Sequence, residues 1–528
     1  MFAVLLTVFT GLVYAPGELY LNNSSEFWFS WSDICVFLAE AVAIVILVFA
    51  LVRRKVSEDV FMNIQGILYG LTFCLFIQGT LLPYDYGILN GEEISWDSYG
   101  IRSVYNTAMW IAIIAAMVYL VYRFGEKGLQ KMRVVGGIVL FMQIGTLVFA
   151  CVNTASSQDK IRHGYVSNDG EYELASEKNT IVLVFDSFDS QLMQELIRDY
   201  PDEVRESLKD FSYYHNTIGT SSDTRASVPA YLYGDVNKTG APYKDYISTQ
   251  SAQSKLIKEL GDEKYDAGFY MEENMVGQPV RDVMRNHKQG RVSPLDQAGI
   301  GIKYLQLVAF KYSPHVLKRF FWLDTGEFDI FQRFRASDFF DERDPVFYAG
   351  LVKTGLSAGD KKEGFRYYHL KGVHLPYDMN ELGQAVEPDD TDRYREGRGC
   401  LQIVRTYKEE LKKAGLYDNC TFIVMADHGW GYEKHTNPLF MIKQRGADKE
   451  YEVSEAPISL FDLPDMLCDF LRSDVVDIEG EFGNRSERVW YDKIERGGKN
   501  TIYEYVTSGT AYDWDSFRDT GKTYEWRY

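Results

Sequence analysis

Thr421-Phe422-Ile423-Val424-Met425-Ala426-Asp427-His428-Gly429-Trp430 is an apolar, partly β-branched run that stops at a carboxylate and an imidazole. Continuous apolarity over five or six residues reads as a strand buried on both faces, the kind found inside parallel sheets. Open α/β sheets bind ligands at the carboxyl ends of their strands, and that is where Asp427 and His428 fall. An oxygen and a nitrogen donor side by side suit Zn²⁺ or Mn²⁺. The same stretch also reads as a strand ending in a polar turn at Gly429.

Two other segments bear on that choice. Asn179-Thr180-Ile181-Val182-Leu183-Val184-Phe185-Asp186 has the same build, an apolar run closed by a carboxylate. Asp186 either stands at the same sheet edge as Asp427 or N-caps the helix suggested by residues 191–197. In Gly219-Thr220-Ser221-Ser222-Asp223-Thr224-Arg225-Ala226-Ser227-Val228-Pro229, a hydroxyl cluster leads into a short helix with proline near its first turn. Hydroxyls there meet oriented N–H groups and a field that favours anions; a plain capping cluster is the other reading.

Taken together, the three segments resemble the alkaline phosphatase/sulfatase superfamily. Within it the chain looks like the membrane-bound phospho-group transferases, the lipoteichoic acid synthases and the phosphoethanolamine transferases. A fourth segment, His369-Leu370-Lys371-Gly372-Val373-His374-Leu375-Pro376-Tyr377, is similar to that family's substrate-binding His-x-Pro-Tyr stretch. The resemblance covers about residues 179–470. It implies a metal held by Asp186, Thr224, Asp427 and His428, with Thr224 as the nucleophile. The pattern of the lipoteichoic acid synthases would put the nucleophile on Ser221 instead. It also implies His374 as a substrate contact, with His435 and Arg225 as further candidates. The formylglycine frame of true sulfatases is broken: Ser227-Val228-Pro229-Ala230-Tyr231 has tyrosine where arginine belongs, and no cysteine is near. The implied activity is transfer of glycerophosphate or phosphoethanolamine from a phospholipid donor to a cell-surface glycan or lipid acceptor through a phospho-threonine. A sulfatase or phosphodiesterase on the same scaffold is an alternative, and so is an inactive membrane-anchored binding module. The four retained site residues speak against the last.

Residues 1–152 read as a membrane domain of about five helices, with apolar spans at 2–15, 34–52, 61–79, 105–122 and 134–152. A bilayer core of ~30 Å needs about 20 apolar residues in a helix. The first span is short and lacks a basic n-region and a cleavage site. It reads as a helix extending toward Tyr20, or as a chain whose true start lies elsewhere. Arg53, Arg54 and Lys55 follow the second span, and Arg123, Lys127, Lys131 and Arg133 follow the fourth. Positive loops stay inside, so the expected location is a multi-pass cell-membrane protein whose residues 153–528 are extracytoplasmic. The intervening loops carry Tyr20, Phe27, Trp28, Phe29 and Trp31, then Tyr84, Tyr86, Trp96 and Tyr99. These form either an aromatic belt or a platform for the outer domain.

Residues 153–178, with Asp159 and Lys160, read as a linker, and 179–474 as a catalytic α/β domain with a mainly parallel sheet. Expected strands are 180–185, 267–270, 365–370, 420–425 and 438–442; expected helices are 189–206, 252–260, 302–322, 393–414 and 458–472. Residues 475–528 read as a β-rich extension. Cys400, Cys420 and Cys468 cannot all pair with one another, so no disulfide framework is expected outside the membrane, unlike in the disulfide-rich phosphoethanolamine transferases. A formal net charge of −19 argues against nucleic acid as a partner.

Overall fold

The structure, a computed structural model, describes residues 1–24, 27–82, 86, 89, 94, 96–158, 164–289, 296–331, 339–430, 434–496 and 499–527. Tyr84, Asp159 and Lys160 lie outside these. The chain forms two compact units: residues 1–163 with 289–335, and residues 164–288 with 336–528.

Among the described residues of the first unit, five helices are long and apolar enough to cross a membrane. They are α1 (Phe2–Asn22), α2 (Trp31–Lys55), α3 (Glu58–Thr80), α4 (Gly100–Phe124) and α5 (Glu126–Gln158). The first span runs on to Asn22, through a π turn at Thr10–Tyr14 just before Pro16. Proline lacks the N–H that a regular turn would use.

In the second unit the chain continues with α6 (Ser190–Asp199) and α7 (Thr224–Tyr233). It leaves this unit for α8 (Gln297–Tyr312) and α9 (His315–Lys318), then returns to form α10 (Arg393–Lys413). The central sheet has seven strands: β1 (Lys178–Phe185), β2 (Ser212–Tyr214), β3 (Tyr265–Tyr270), β4 (Glu363–Leu370), β5 (Cys420–Met425), β6 (Phe440–Lys443) and β7 (Glu452–Ser454). Their order is β7-β2-β6-β5-β1-β4-β3. The central strand β1 pairs in parallel with β4 and β5, and β3 with β4; the β5–β6 and β6–β2 pairs are antiparallel. Alternate residues of β1 enter two different cores, Val182 and Val184 on one face, Ile181, Leu183 and Phe185 on the other. Burial on both faces is why this strand is uniformly apolar. Each such side chain contributes about 1.5–3 kcal/mol.

The predicted helices over 189–206 and 302–322 are each broken, at Pro201 and before Pro314. Pro229 sits inside α7, not in its first turn. Part of the expected linker is folded: Gly164–Val166 and Glu173–Leu174 pair with strands of the second unit. The stretch read as an outer-domain helix at 302–322 belongs to the first unit. Its apolar spacing shows that it is packed, but carries no mark of which unit it packs with. In that unit Tyr304 and Phe328 meet Phe27 and Phe29, and Tyr304 also meets Tyr20. Those aromatic loop residues therefore pack against the insertion. Residues 475–528 include β8 (Arg488–Arg496), β9 (Lys499–Thr507) and β10 (Phe517–Trp526), an antiparallel three-stranded sheet. Cys400, Cys420 and Cys468 are buried free thiols.

Gly372 lies against the end of β1 at φ 60°, and a Cβ there would overlap the backbone of Asp186. Gly372→Ala is expected to lower stability by ~2 kcal/mol or more. Thermal unfolding of the two proteins in detergent checks this, and an unchanged midpoint would contradict the packing described.

Candidate active site

Three adjacent parallel strands end together. The register sets Val184 of β1 beside His369 of β4 and Met425 of β5. The chain beyond β1 begins with Asp186, and beyond β5 with Ala426, Asp427 and His428. Asp186, His369 and Asp427, all buried, each place a possible ligand atom within 4.8 Å of the other two. His428 Nε2 adds a further donor, 3.6 Å from Asp186 Oδ1 and 3.6 Å from Asp427 Oδ2.

The supports come from the surrounding backbone. Asp189, not Asp186, caps α6, accepting from the Leu192 N–H at 2.7 Å, which leaves the Asp186 carboxylate to the site. The other Asp189 oxygen takes the Trp430 N–H at 3.2 Å and the Arg393 guanidinium, fastening the loop after His428 to the starts of α6 and α10. Ser187 adopts φ 61°, uncommon for a residue with a side chain. In that conformation its N–H donates to Asp427 Oδ1 at 3.1 Å and its hydroxyl to Asp186 Oδ1 at 2.7 Å.

Thr224 opens α7, capped by Asp223, which accepts from the Ala226 N–H at 3.3 Å. Its Oγ1 lies 3.3 Å from Asp186 Oδ2 and 3.2 Å from His428 Nε2. With His428 Nδ1–H donating to the Gly429 carbonyl at 2.8 Å, Nε2 carries the lone pair that faces Thr224 and the carboxylates, the arrangement by which metal-ligating histidines are oriented. Ser221 behaves differently: its hydroxyl is buried without a polar partner, and its backbone bridges to Tyr491 of β8. Ser227 is also fully buried, donating to the Asp427 carbonyl at 2.5 Å.

His435 stacks near His428, with ring centroids 6.4 Å apart, and against Trp430 at 5.4 Å. Burial and the neighbouring His428 push its pKa down. His374 is half-buried, with its ring 6.4 Å from that of Trp430. Arg225 is also half-buried, and its charge is felt at the Tyr243 phenol. His369 and Trp430 were not among the sequence candidates. His369 sits inside an otherwise apolar strand, and only its place at the carboxyl end of β4 marks it.

The electrostatics call for a cation. Burial, then the Asp427 charge, raise the Asp186 pKa. Burial works the same way on Asp427, but His428 and His369 outweigh it and hold that carboxyl below its usual range. His369 is pushed up to about 9 despite its burial, because carboxylates surround it. His369 Nε2 and Asp427 Oδ2 are buried without a hydrogen-bond partner, although a native interior satisfies most such atoms. Two carboxylates and two imidazoles gathered around two unpartnered atoms, one carboxylate oxygen and one ring nitrogen, fit a divalent ion.

The carboxyl-terminal sheet holds the loop that carries Thr224. The Tyr491 N–H donates to the Thr220 carbonyl at 3.1 Å, and the Ser222 N–H to the Tyr491 carbonyl at 3.2 Å. The Lys493 N–H donates to Ser222 Oγ at 3.0 Å, and its ammonium pairs with Asp223 at 3.0 Å. Asp492 pairs with Lys434, beside His435, at 3.2 Å. Consecutive residues of β8 thus grip the loops that carry Thr224 and His435.

No family model matches the chain, and no curated protein matches it. Among solved structures it is similar to a phosphonate monoester hydrolase from Silicibacter pomeroyi, at 12% identity and TM-score 0.35, covering 65% of this chain and 88% of that one. It is similar to a protein in the alkaline phosphatase superfamily from Vibrio parahaemolyticus, at 14% identity and TM-score 0.35, covering 66% and 83%. A third is a putative sulfatase from Bacteroides thetaiotaomicron, at 12% identity and TM-score 0.35, covering 63% and 81%.

Metal uptake must displace the proton that His369 holds up to pH about 9. The affinity of metal-stripped protein for Mn²⁺ is therefore expected to rise with pH and to level off above that value. His369→Gln is expected to flatten the profile and weaken binding by ~10–100-fold. Titration calorimetry across pH checks both; a pH-independent affinity would contradict the assignment.

Proposed function

We propose that this chain is a metal-dependent, membrane-anchored phospho-group transferase. It takes glycerophosphate or phosphoethanolamine from a phospholipid and passes it to a cell-surface glycan or lipid. The observation that carries the reading is Thr224 Oγ1, set 3.3 Å from Asp186 Oδ2 and 3.2 Å from His428 Nε2 at the mouth of the carboxylate–imidazole cluster. Asp186, Asp427, His428 and Thr224 would hold a Zn²⁺ or Mn²⁺ ion, with His369 beside them. A divalent ion bound there supplies the charge that makes a threonine hydroxyl acidic enough to attack.

The chain's own groups do the rest. As the Oγ1–phosphorus bond of Thr224 forms, the phosphorus–oxygen bond to diacylglycerol breaks. The hydroxyl proton is released to water as the alkoxide forms, with no separate general base. The departing alkoxide takes a proton from His374. In the second half an acceptor hydroxyl attacks the phospho-threonine, gives its proton to His374, and Thr224 regains its own. His435 and Arg225 would bind the phosphoryl oxygens. The five apolar helices support a lipid donor, and their loop charges support an extracytoplasmic catalytic unit.

Incubation with head-group-labelled phospholipid is expected to leave label on Thr224, located by peptide mass spectrometry. Thr224→Ala is expected to lose the adduct and slow turnover by ~10³-fold or more, while Ser221→Ala keeps both. Label on Ser221 would move the nucleophile. Turnover of a soluble aryl sulfate with no lipid consumed would make the protein a hydrolase.

A further inference from the structure

The segment 297–323 interrupts the chain of the α/β unit, yet packs with the five long helices. Its fastenings are specific. Glu18 of α1 accepts from Lys311 Nζ at 2.9 and 2.6 Å and from the Tyr312 hydroxyl at 2.8 Å. The Tyr304 hydroxyl donates to the Pro16 carbonyl at 2.7 Å, and the His315 N–H to Asn106 Oδ1 at 2.8 Å. Gly79 and Gly301 allow close approach: a Cβ on the first would collide with the Tyr312 ring, and on the second with Phe37.

These partners share one end of the bundle. Glu18 and Pro16 lie near the end of α1, Phe37 near the start of α2, Gly79 at the end of α3 and Asn106 near the start of α4. The other ends of α2, α3 and α4 adjoin the Arg53-Arg54-Lys55 and Arg123–Arg133 loops. If the five helices span a bilayer, on which this inference rests, α8 and α9 sit at its non-cytoplasmic face.

Not all of the segment is packed. Val316 and Leu317 are each 42% exposed and Phe320 64%, within five residues of one another. The helix α9 that begins this cluster packs against α4, whose first turns expose Ile101, Val104 and Tyr105. Exposed apolar side chains thus lie on both of two packed elements, the long helix α4 and the insertion. The Arg319 guanidinium lies 4.9 Å from the Phe320 ring centroid. An aromatic ring beside a cation on a short apolar element matches the bilayer interface, where the ring enters the acyl boundary and the cation reaches phosphate.

We propose that Val316, Leu317 and Phe320 form an interfacial lip embedded in the non-cytoplasmic leaflet, so that the inserted segment meets phospholipid directly. The test uses the full chain in phosphatidylcholine/phosphatidylglycerol nanodiscs, with Cys35 and Cys151 changed to serine. A nitrobenzoxadiazole label is placed in turn at Phe320→Cys, Leu317→Cys, Ile111→Cys within α4, and Val475→Cys in the α/β unit. Labels at 320 and 317 should be quenched by shallow doxyl lipid more than by deep doxyl lipid. They should also be ~3-fold or more less accessible to iodide than the label at 475. The label at 111 should respond to deep doxyl lipid. If it does not, the spanning reading itself fails. If it does, while 320 and 317 remain open to iodide and blind to doxyl lipid, the lip is refuted. Shielding of 320 and 317 that appears only with two copies per disc would also refute it, and would assign the patch to self-association.

Discussion

Two carboxylates buried at the ends of neighbouring strands form the constraint around which the second unit is organised. Asp186 and Asp427 follow β1 and β5, which are hydrogen-bonded in parallel. Their charges cannot both persist in a dry interior without positive charge between them. The fold answers with His428 and His369, one from the β5 loop and one from β4, and with the N–H and hydroxyl of Ser187. The unpartnered atoms that remain point to a cation as the last component. Thr224 then has a reason to be where it is: a hydroxyl of ordinary acidity becomes useful only beside that charge.

Much of this was readable in the sequence, because the physics that buries a central strand also writes it. The runs 180–185 and 420–425 are apolar throughout since both faces of β1 and β5 are covered, and each is followed within two residues by its acid. Thr224 was readable as a hydroxyl ahead of a short helix, with Ser221 as the alternative in the same polar loop, and the environments of the two were not readable there. Only the fold shows that the Ser221 hydroxyl is buried without a polar partner while the Thr224 hydroxyl touches Asp186 and His428.

What stayed hidden depends on pairing between distant parts of the chain. His369 is one imidazole in an apolar strand, and its meaning comes from the register with Val184. The left-handed Ser187 leaves no compositional trace. The role of β8 rests on bonds between residues 491–493 and 220–223, and the carboxyl-terminal sheet looked from sequence like a closing extension. The insertion 297–323 misled for a related reason. Its apolar spacing would serve in either unit, and the partner that decides, Glu18, lies 294 residues before Tyr312.

The central claim, that the ends of β1 and β5 build one cation site around Thr224, is most directly tested by anomalous diffraction from crystals grown with Mn²⁺. A single strong peak is expected within bonding distance of Asp186, Asp427 and His428 and next to the Thr224 hydroxyl. Fully ordered density for these side chains with no peak among them, or a peak elsewhere in the molecule, would contradict it.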